Sequence, residues 1–523
     1  MSFINRKQNS QPTPGATHLN WWGSGAFNVK DPLVRLRMAA TSCFFGEPMY
    51  YQRDVEDTRH KKRPRYTYQR QLSEAELAYL RAELNALDPQ EWRGMTPAQL
   101  METAIDAALE ANPEATLQFA AHMRQQEHIR TTPQVILVRA ANHPKVRGTG
   151  LIRIYAPQII ARMDEPSVGL AYQMAKYGKP IPNALKKAWR AALESASEYQ
   201  LAKYRSESRE IALVDVMNLV HPKSEAVNKL AKGELTLTDK TWEAIISAKG
   251  STVEAWREAL EVMGHMALLR NLRNLHEQGM YGQDIAKKLT SGAAEGKQLP
   301  FRYYSAYRIV EVLDPKPALL LDALEESLML SLGNLPHFKG KVVSLADNSG
   351  SMDTTHTSAA GSMTLRTIAN LSSVLTAMRA DEGYISVFAD TFKTLPIRKR
   401  ASVFDALKEV EQAGHQVGGG TRFLPFWEDA IKRREHFDMV FIYSDMQAMH
   451  EKWHKGEFTD FPKVLNLYRK KVNPKVLVFS VQMGGYQDTL VPEFYDRVFV
   501  LGGWGESTLR FAAEMANMYA NVG

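Results

Sequence analysis

Cysteine is nearly absent from this chain. Cys43 stands alone among 523 residues, which excludes an intramolecular disulfide and a thiolate metal cluster and argues against an extracellular adhesion role. Its expected place is a small core position. Long apolar runs are missing too: none approaches the ~18–20 residues that a membrane span requires. The opening stretch, MSFINRKQNSQPTPGATHLN, has no apolar core of the kind a secretion signal carries. The expectation is a cytoplasmic protein, with no membrane partner. Charge of one sign is also modest. The net charge is +7, and nearly all of the excess lies before His337, a surplus that suits a polyanion only where the charges cluster. What is plentiful is hydrophobic content, 44%, enough for a folded chain with two or more cores.

Two patterns divide the sequence. From about residue 31 to 332 one helix start follows another, roughly every 20 residues, with few convincing strands. Ser73 and Glu76 form a capping box ahead of Leu77, Leu80, Leu84 and Leu87, and Thr96-Pro97 with Gln99 opens the next helix. Asn112-Pro113 and Thr132-Pro133 repeat a cap followed by proline. Pro317 starts a helix with Leu320, Leu324, Leu328 and Leu332 on one face, stopped by Gly333-Asn334. This spacing predicts paired antiparallel helices stacked as a HEAT-like α-solenoid, although no clean repeat is visible; an irregular helical domain is the plainer alternative. The pattern changes at Leu335-Pro336. Strands over 341–347, 384–389, 437–444, 475–482 and 497–501 alternate with helices over 362–380, 401–412, 424–435 and 506–520, which predicts a doubly wound α/β domain. The predicted domains are therefore 1–336 and 337–523.

The chemistry concentrates where the first of those strands ends. In Lys341-Val-Val-Ser-Leu-Ala-Asp347-Asn-Ser349-Gly-Ser351 an acid and two hydroxyls occupy alternate positions. Oxygen donors suit a hard cation such as Mg²⁺ or Mn²⁺, and neutral hydroxyls leave that ion positive charge for an outside ligand. Two later segments supply further donors. Gly418-Gly-Gly420-Thr421 presents a hydroxyl on a flexible loop, and Phe437-Asp-Met-Val-Phe-Ile-Tyr-Ser444-Asp445 places a carboxylate at the carboxyl end of an apolar strand, where open α/β sheets bind ligands. Asp-Asn-Ser-Gly-Ser alone would be an ordinary polar turn; the ordered Thr and Asp segments outweigh that reading. A haloacid-dehalogenase-type phosphatase would want a second acid at position 349, which is Ser. The order Asp347, Ser349, Ser351, Thr421, Asp445 resembles the metal-ion-dependent adhesion site of von Willebrand factor A domains.

A different motif competes for attention. His450-Glu451-Lys-Trp-His454 fits the H-E-x-x-H pattern of zinc proteases, but those need it on a stable helix with a third ligand. Here it follows Asp445 closely and runs into Gly456, so it is read as a polar loop, and no catalytic residue is assigned.

Basic clusters punctuate the helical part: Arg59 to Arg65, His143 to Arg147, Lys186-Lys187 with Arg190, Lys203 to Arg209, and Arg270 with Arg273. Each taken singly is an ordinary solvated face. Stacked helices could align them into one surface holding phosphates, with Tyr50, Tyr51 or Tyr66 stacking on unpaired bases.

Three segments carry a wider resemblance: Ala267-Leu-Leu-Arg-Asn-Leu-Arg-Asn274; Tyr172 to Trp189 with its Lys-Pro-Ile-Pro-Asn-Ala-Leu-Lys-Lys core; and Lys203-Tyr-Arg205 running to His221-Pro-Lys223. Together with an A domain behind a helical region, they resemble the Ro family of TROVE-domain proteins. The resemblance implies a ring of helical repeats, small noncoding Y-type RNA on a basic outer surface, and single-stranded ends of misfolded RNA in a central hole. It carries RNA contact onto Lys203, Arg205, His221, Arg270 and Arg273. Departures are the sequence Gly46-Glu-Pro-Met-Tyr50-Tyr51, where family members have a glycine-rich stretch, and Glu207 and Glu210 in the RNA-gripping segment. The implied function is a monomeric, non-enzymatic ribonucleoprotein scaffold for RNA quality control. It would tether an exoribonuclease through RNA and recruit an acidic protein ligand at the metal site. A protein adapter that binds no RNA is the rival.

Overall fold

The computed structural model describes residues 18–19, 25–28, 31–40, 50, 97–204, 211–235, 241–296, 298, 300–353, 355–358, 361–397, 402–448, 451–452, 458–459, 461–484, 488–491, 495–502 and 506–520. Cys43, Tyr51, Tyr66, the Arg59–Arg65 cluster, the Ser73 capping box, Thr96, Arg205, Glu207, Glu210, His450 and His454 lie outside them. Packing separates two compact units: Glu47–Arg53 with Glu102–Ser331, and Leu332–Gly523 with Met1–Gly46 and Asp54–Met101.

The regular elements among the described residues of the first unit are all helices, from the helix Pro97–Ala111, most of which lies in it, to Ala318–Ser331. Helices contact their neighbours and next-but-one neighbours in chain order, the pattern of stacked helix pairs. Local signals set many starts. The Asn112 carboxamide accepts from Ala115 N at 3.0 Å ahead of Pro113–Gln125, and Ser197 and Gln200 form a reciprocal box before Glu198–Lys203. Thr132-Pro133 is not a cap: its helix spans Thr131–Asn142, Arg130 precedes it without a side-chain cap, and Thr132 is buried in the first turn, its hydroxyl 2.8 Å from the Tyr50 hydroxyl. A buried polar network ties the stack together. Arg139 donates to Asp106 at 2.7 Å and to the Tyr172 hydroxyl at 2.6 Å, and that hydroxyl donates to Glu102 at 2.5 Å. Burial alone would lower the Arg139 pKa, but the Asp106 carboxylate holds it above its ordinary value.

The second unit is built on a six-stranded sheet ordered Val498–Gly502, Leu477–Gln482, Met439–Ser444, Phe338–Asp347, Ala380–Phe388, Phe392–Pro396. Neighbours pair in parallel except the last, an antiparallel edge strand that the sequence did not announce. Met439–Ser444 and Leu477–Gln482 are buried along their whole length, as strands covered on both faces must be. Val440, Ile442, Val343, Leu345 and Val478 join Trp427, Phe461 and Tyr468 in one core. On the opposite face the Tyr443 hydroxyl meets Thr376 at 2.6 Å, so Leu365–Met378 covers that side. The helix Phe461–Lys471 was unread in the sequence, as was the pairing of Gly25–Asn28 with both His18–Leu19 and Asp488–Thr489.

Gly383 lies opposite Val342 in the sheet, and a Cβ there would collide with the carbonyl of Ala377. Gly383→Ala is expected to cost about 1–3 kcal/mol, lowering the urea midpoint of the α/β unit; an unmoved midpoint would contradict this packing.

Candidate functional site

Parallel pairing of Met439–Ser444 with Phe338–Asp347 brings Asp347 and Ser444 to one edge of the sheet; Asp347 ends its strand, Ser349 and Ser351 follow it in the turn, and Asp445 directly follows the neighbouring strand. The Ser444 hydroxyl donates to Asp347 Oδ2 at 2.5 Å, and the Ser349 amide donates to Asp347 Oδ1 at 2.8 Å. Asp347 is fully buried with both oxygens engaged, so it orients the neighbouring groups. Its burial pushes the carboxyl pKa up, opposed by the Ser349 and Ser444 hydrogen bonds and by the charge of Arg366; a cation beside it would act in the same direction as Arg366.

The Ser349 and Ser351 hydroxyls lie 3.1 Å apart. Gly350 N donates to Gly419 O at 2.9 Å, which joins the serine loop to the glycine loop carrying Thr421. That glycine loop turns through Gly418 at φ +91°, where a Cβ would strike the Asp390 carboxylate, and Gly419 N donates to Asp390 Oδ2 at 2.9 Å. Asp445 is buried, its Oδ1 accepting from Gln447 N at 3.2 Å and its carbonyl from Gln482 Nε2 at 3.1 Å.

The decisive detail is Thr421. It is fully buried, and among the described residues its hydroxyl oxygen has no hydrogen-bond partner. An unsatisfied buried hydroxyl costs stability, and here it stands on the loop joined to Ser349 and Ser351. That arrangement fits a hard divalent cation held by three hydroxyls and oriented by two carboxylates. Among the described residues no three His, Cys, Asp or Glu side chains gather to hold a metal, so a histidine- or carboxylate-rich cage is not the form such a site takes there. Asn348, Asn370, Asp390 and Arg366 support the edge without having been singled out in the sequence. The Asn348 and Asn370 side chains pair through bonds of 2.9 and 3.1 Å, and Arg366 donates to Ser349 O at 3.3 Å and to Asp353 at 3.0 Å. Polar residues one position past a ligand, or a turn into the following helix, were the available signals.

Of the H-E-x-x-H pattern, Glu451–Lys452 forms a short antiparallel ladder with Phe458–Thr459. The two described residues of the motif are thus extended where a loop is expected, and the two histidines lie outside the described residues.

The basic candidates lie on two stretches of the helical unit. Lys203 is exposed at the end of Glu198–Lys203, and exposed His221 caps Leu213–Val220 in the left-handed region at φ 49°. Arg270 and Arg273 are exposed on His265–Glu277, where Arg273 reaches Glu277 at 3.4 Å. Arg270 and Arg130 lie close enough to Arg302 that, after desolvation, their charges lower its pKa. In the His143–Arg147 cluster Lys145 and His143 both pair with Glu110 at the surface, and in another cluster Arg190 donates to the Val220 carbonyl at 2.5 Å. Tyr50 is engaged by Thr132 and packs edge-on to Tyr172 at 6.0 Å, which removes it as a free stacking ring.

Residues 229–318 match the model of the TROVE domain family. The fold is similar to the crystal structure of the RO (RSR) protein of Deinococcus radiodurans, with a TM-score of 0.55 and 17% identity over 82% of this chain and 95% of that one. One segment of the chain is thus similar to a TROVE domain, and the fold is similar to that of a Ro protein. No curated protein matches the chain. The fold expected from the sequence, a helical-repeat unit followed by a von Willebrand factor A-like α/β unit, is the fold observed.

In metal-free buffer containing EDTA, Thr421→Val removes the unsatisfied hydroxyl at nearly constant volume. It is expected to leave the unfolding free energy of the α/β unit unchanged or raised, by up to about 1–3 kcal/mol, as read from urea denaturation. A clear loss of stability would show that the hydroxyl serves the protein fold itself.

Proposed function

We propose that this chain is an RNA-binding scaffold without catalysis of its own, with a divalent-cation site on its α/β unit for recruiting an acidic partner. One observation carries the RNA reading: the helical unit that contains the TROVE match also exposes Lys203, His221, Arg270 and Arg273 to solvent. Exposed Arg and Lys hold phosphates and release counterions, so affinity should fall steeply with salt. The finer reading is small noncoding Y-type RNA on the basic surface and single-stranded ends of misfolded RNA in a central hole. This would serve RNA quality control in the cytoplasm, with an exoribonuclease tethered through the RNA.

At the α/β edge, Ser349, Ser351 and Thr421 would hold Mg²⁺ or Mn²⁺, and Asp347 and Asp445 would orient them. Neutral hydroxyl donors leave the cation electrophilic, so a partner carboxylate is the natural further ligand. The same site favours the second reading, a protein adapter that binds no RNA.

Purified protein should shift a structured RNA bearing a single-stranded tail, and the shift should weaken with salt. Arg270→Ala should weaken binding across sequences and reduce the salt slope by about 1. A preparation free of nucleic acid, with no salt-sensitive shift, would favour the adapter. For the cation, calorimetry with Mg²⁺ or Mn²⁺ should give binding heat for the wild type and little for Ser349→Ala. Equal heats would refute the ligand assignment.

A further inference from the structure

The residues around Lys203 form an arrangement that the sequence did not single out. The helix Glu198–Lys203 buries Leu201 and Ala202, which leaves Tyr199 on its outer side with 50% of its surface exposed. The Lys203 ammonium lies 5.5 Å from the centre of the Tyr199 ring and 6.0 Å from that of Tyr204. The Arg162 guanidinium sits 4.4 Å from the Tyr204 ring centre. Two aromatic rings and two cations thus meet at one surface.

The cations differ in what else they hold. Arg162 is committed to Asp164, with bonds of 3.0 and 2.9 Å, and Lys229 on the helix packed against Glu198–Lys203 is neutralised by Glu198 and Glu225. Among the described residues Lys203 has no carboxylate partner; its one polar contact is the Tyr199 hydroxyl at 3.4 Å. A tyrosine and a lysine four residues apart are common on helix surfaces. An uncompensated ammonium beside a half-exposed ring, braced by a second ring that holds an arginine, is a more specific combination. It offers a π-face to a planar group and a cation to an adjacent anion, and a nucleotide carries both.

Resting on the RNA-binding reading above, we infer that Tyr199 is a stacking platform for one unpaired base, with Lys203 taking the adjoining phosphate and Tyr204 and Arg162 bracing the pair. The ligand class is single-stranded nucleic acid, because bases in a duplex keep their faces stacked on each other.

The test uses the full chain and two fluorescein-labelled oligoribonucleotides of equal length, one of uridines and one abasic, in fluorescence-anisotropy titrations. Tyr199→Ala should weaken binding of the uridine oligomer roughly ten- to hundredfold and leave the abasic oligomer unchanged. Tyr199→Phe, which keeps the ring, should bind as wild type does, and Lys203→Ala should weaken both oligomers. An unchanged circular dichroism spectrum checks that the variants fold. Equal binding of the uridine oligomer by wild type and Tyr199→Ala, or abasic binding as tight as uridine binding, overturns the platform while RNA binding stands. Failure of the wild type to bind any RNA overturns both.

Discussion

Everything at the α/β edge depends on the parallel strand Phe338–Asp347 being clamped between Met439–Ser444 and Ala380–Phe388. Parallel pairing sends several carboxyl ends to the same side, which puts Asp347 within hydrogen-bonding reach of Ser444. From that pin the serine loop is positioned by its own amide bond to Asp347, and the glycine loop by Gly350 and Asp390. The serine hydroxyls of the edge are therefore held both by this backbone geometry and by their own bonds, Ser444 to Asp347 and Ser349 to Ser351, whereas Thr421 is held by the backbone of its loop.

The helical unit works on another principle. Its interior charges are spent inside the protein, as in the Arg139–Tyr172–Glu102 network, and some surface charges pair locally, as Glu110 does with His143 and Lys145. Charges left outside these pairs, Lys203 above all, are those available to an anion. Counting basic residues along the sequence overstates the binding surface, because several complete ion pairs or helix ends.

Legibility from the sequence followed how local each signal was. Asp347, Ser349 and Ser351 lie within five residues, and Thr421 and Asp445 each follow a recognisable element, so the edge could be assembled on paper. The strand Phe392–Pro396 escaped because it is short, ends in proline and pairs antiparallel at the rim. The helix Phe461–Lys471 escaped because a zinc-protease-like pattern just before it drew the stretch toward loop. Thr132-Pro133 misled for a tertiary reason: Thr132 is buried and its hydroxyl meets Tyr50, so the helix starts without a side-chain cap. Tyr199 has no local signal, because its exposure on a helix surface is not written in the sequence.

In the proposed function, nucleic acid belongs to the helical unit and the cation to the α/β unit. Ultraviolet crosslinking of the full chain to bound RNA, followed by mass spectrometry of the modified peptides, addresses that division directly. Crosslinked peptides should fall between residues 183 and 277. Crosslinks confined to residues 337–523 would contradict it.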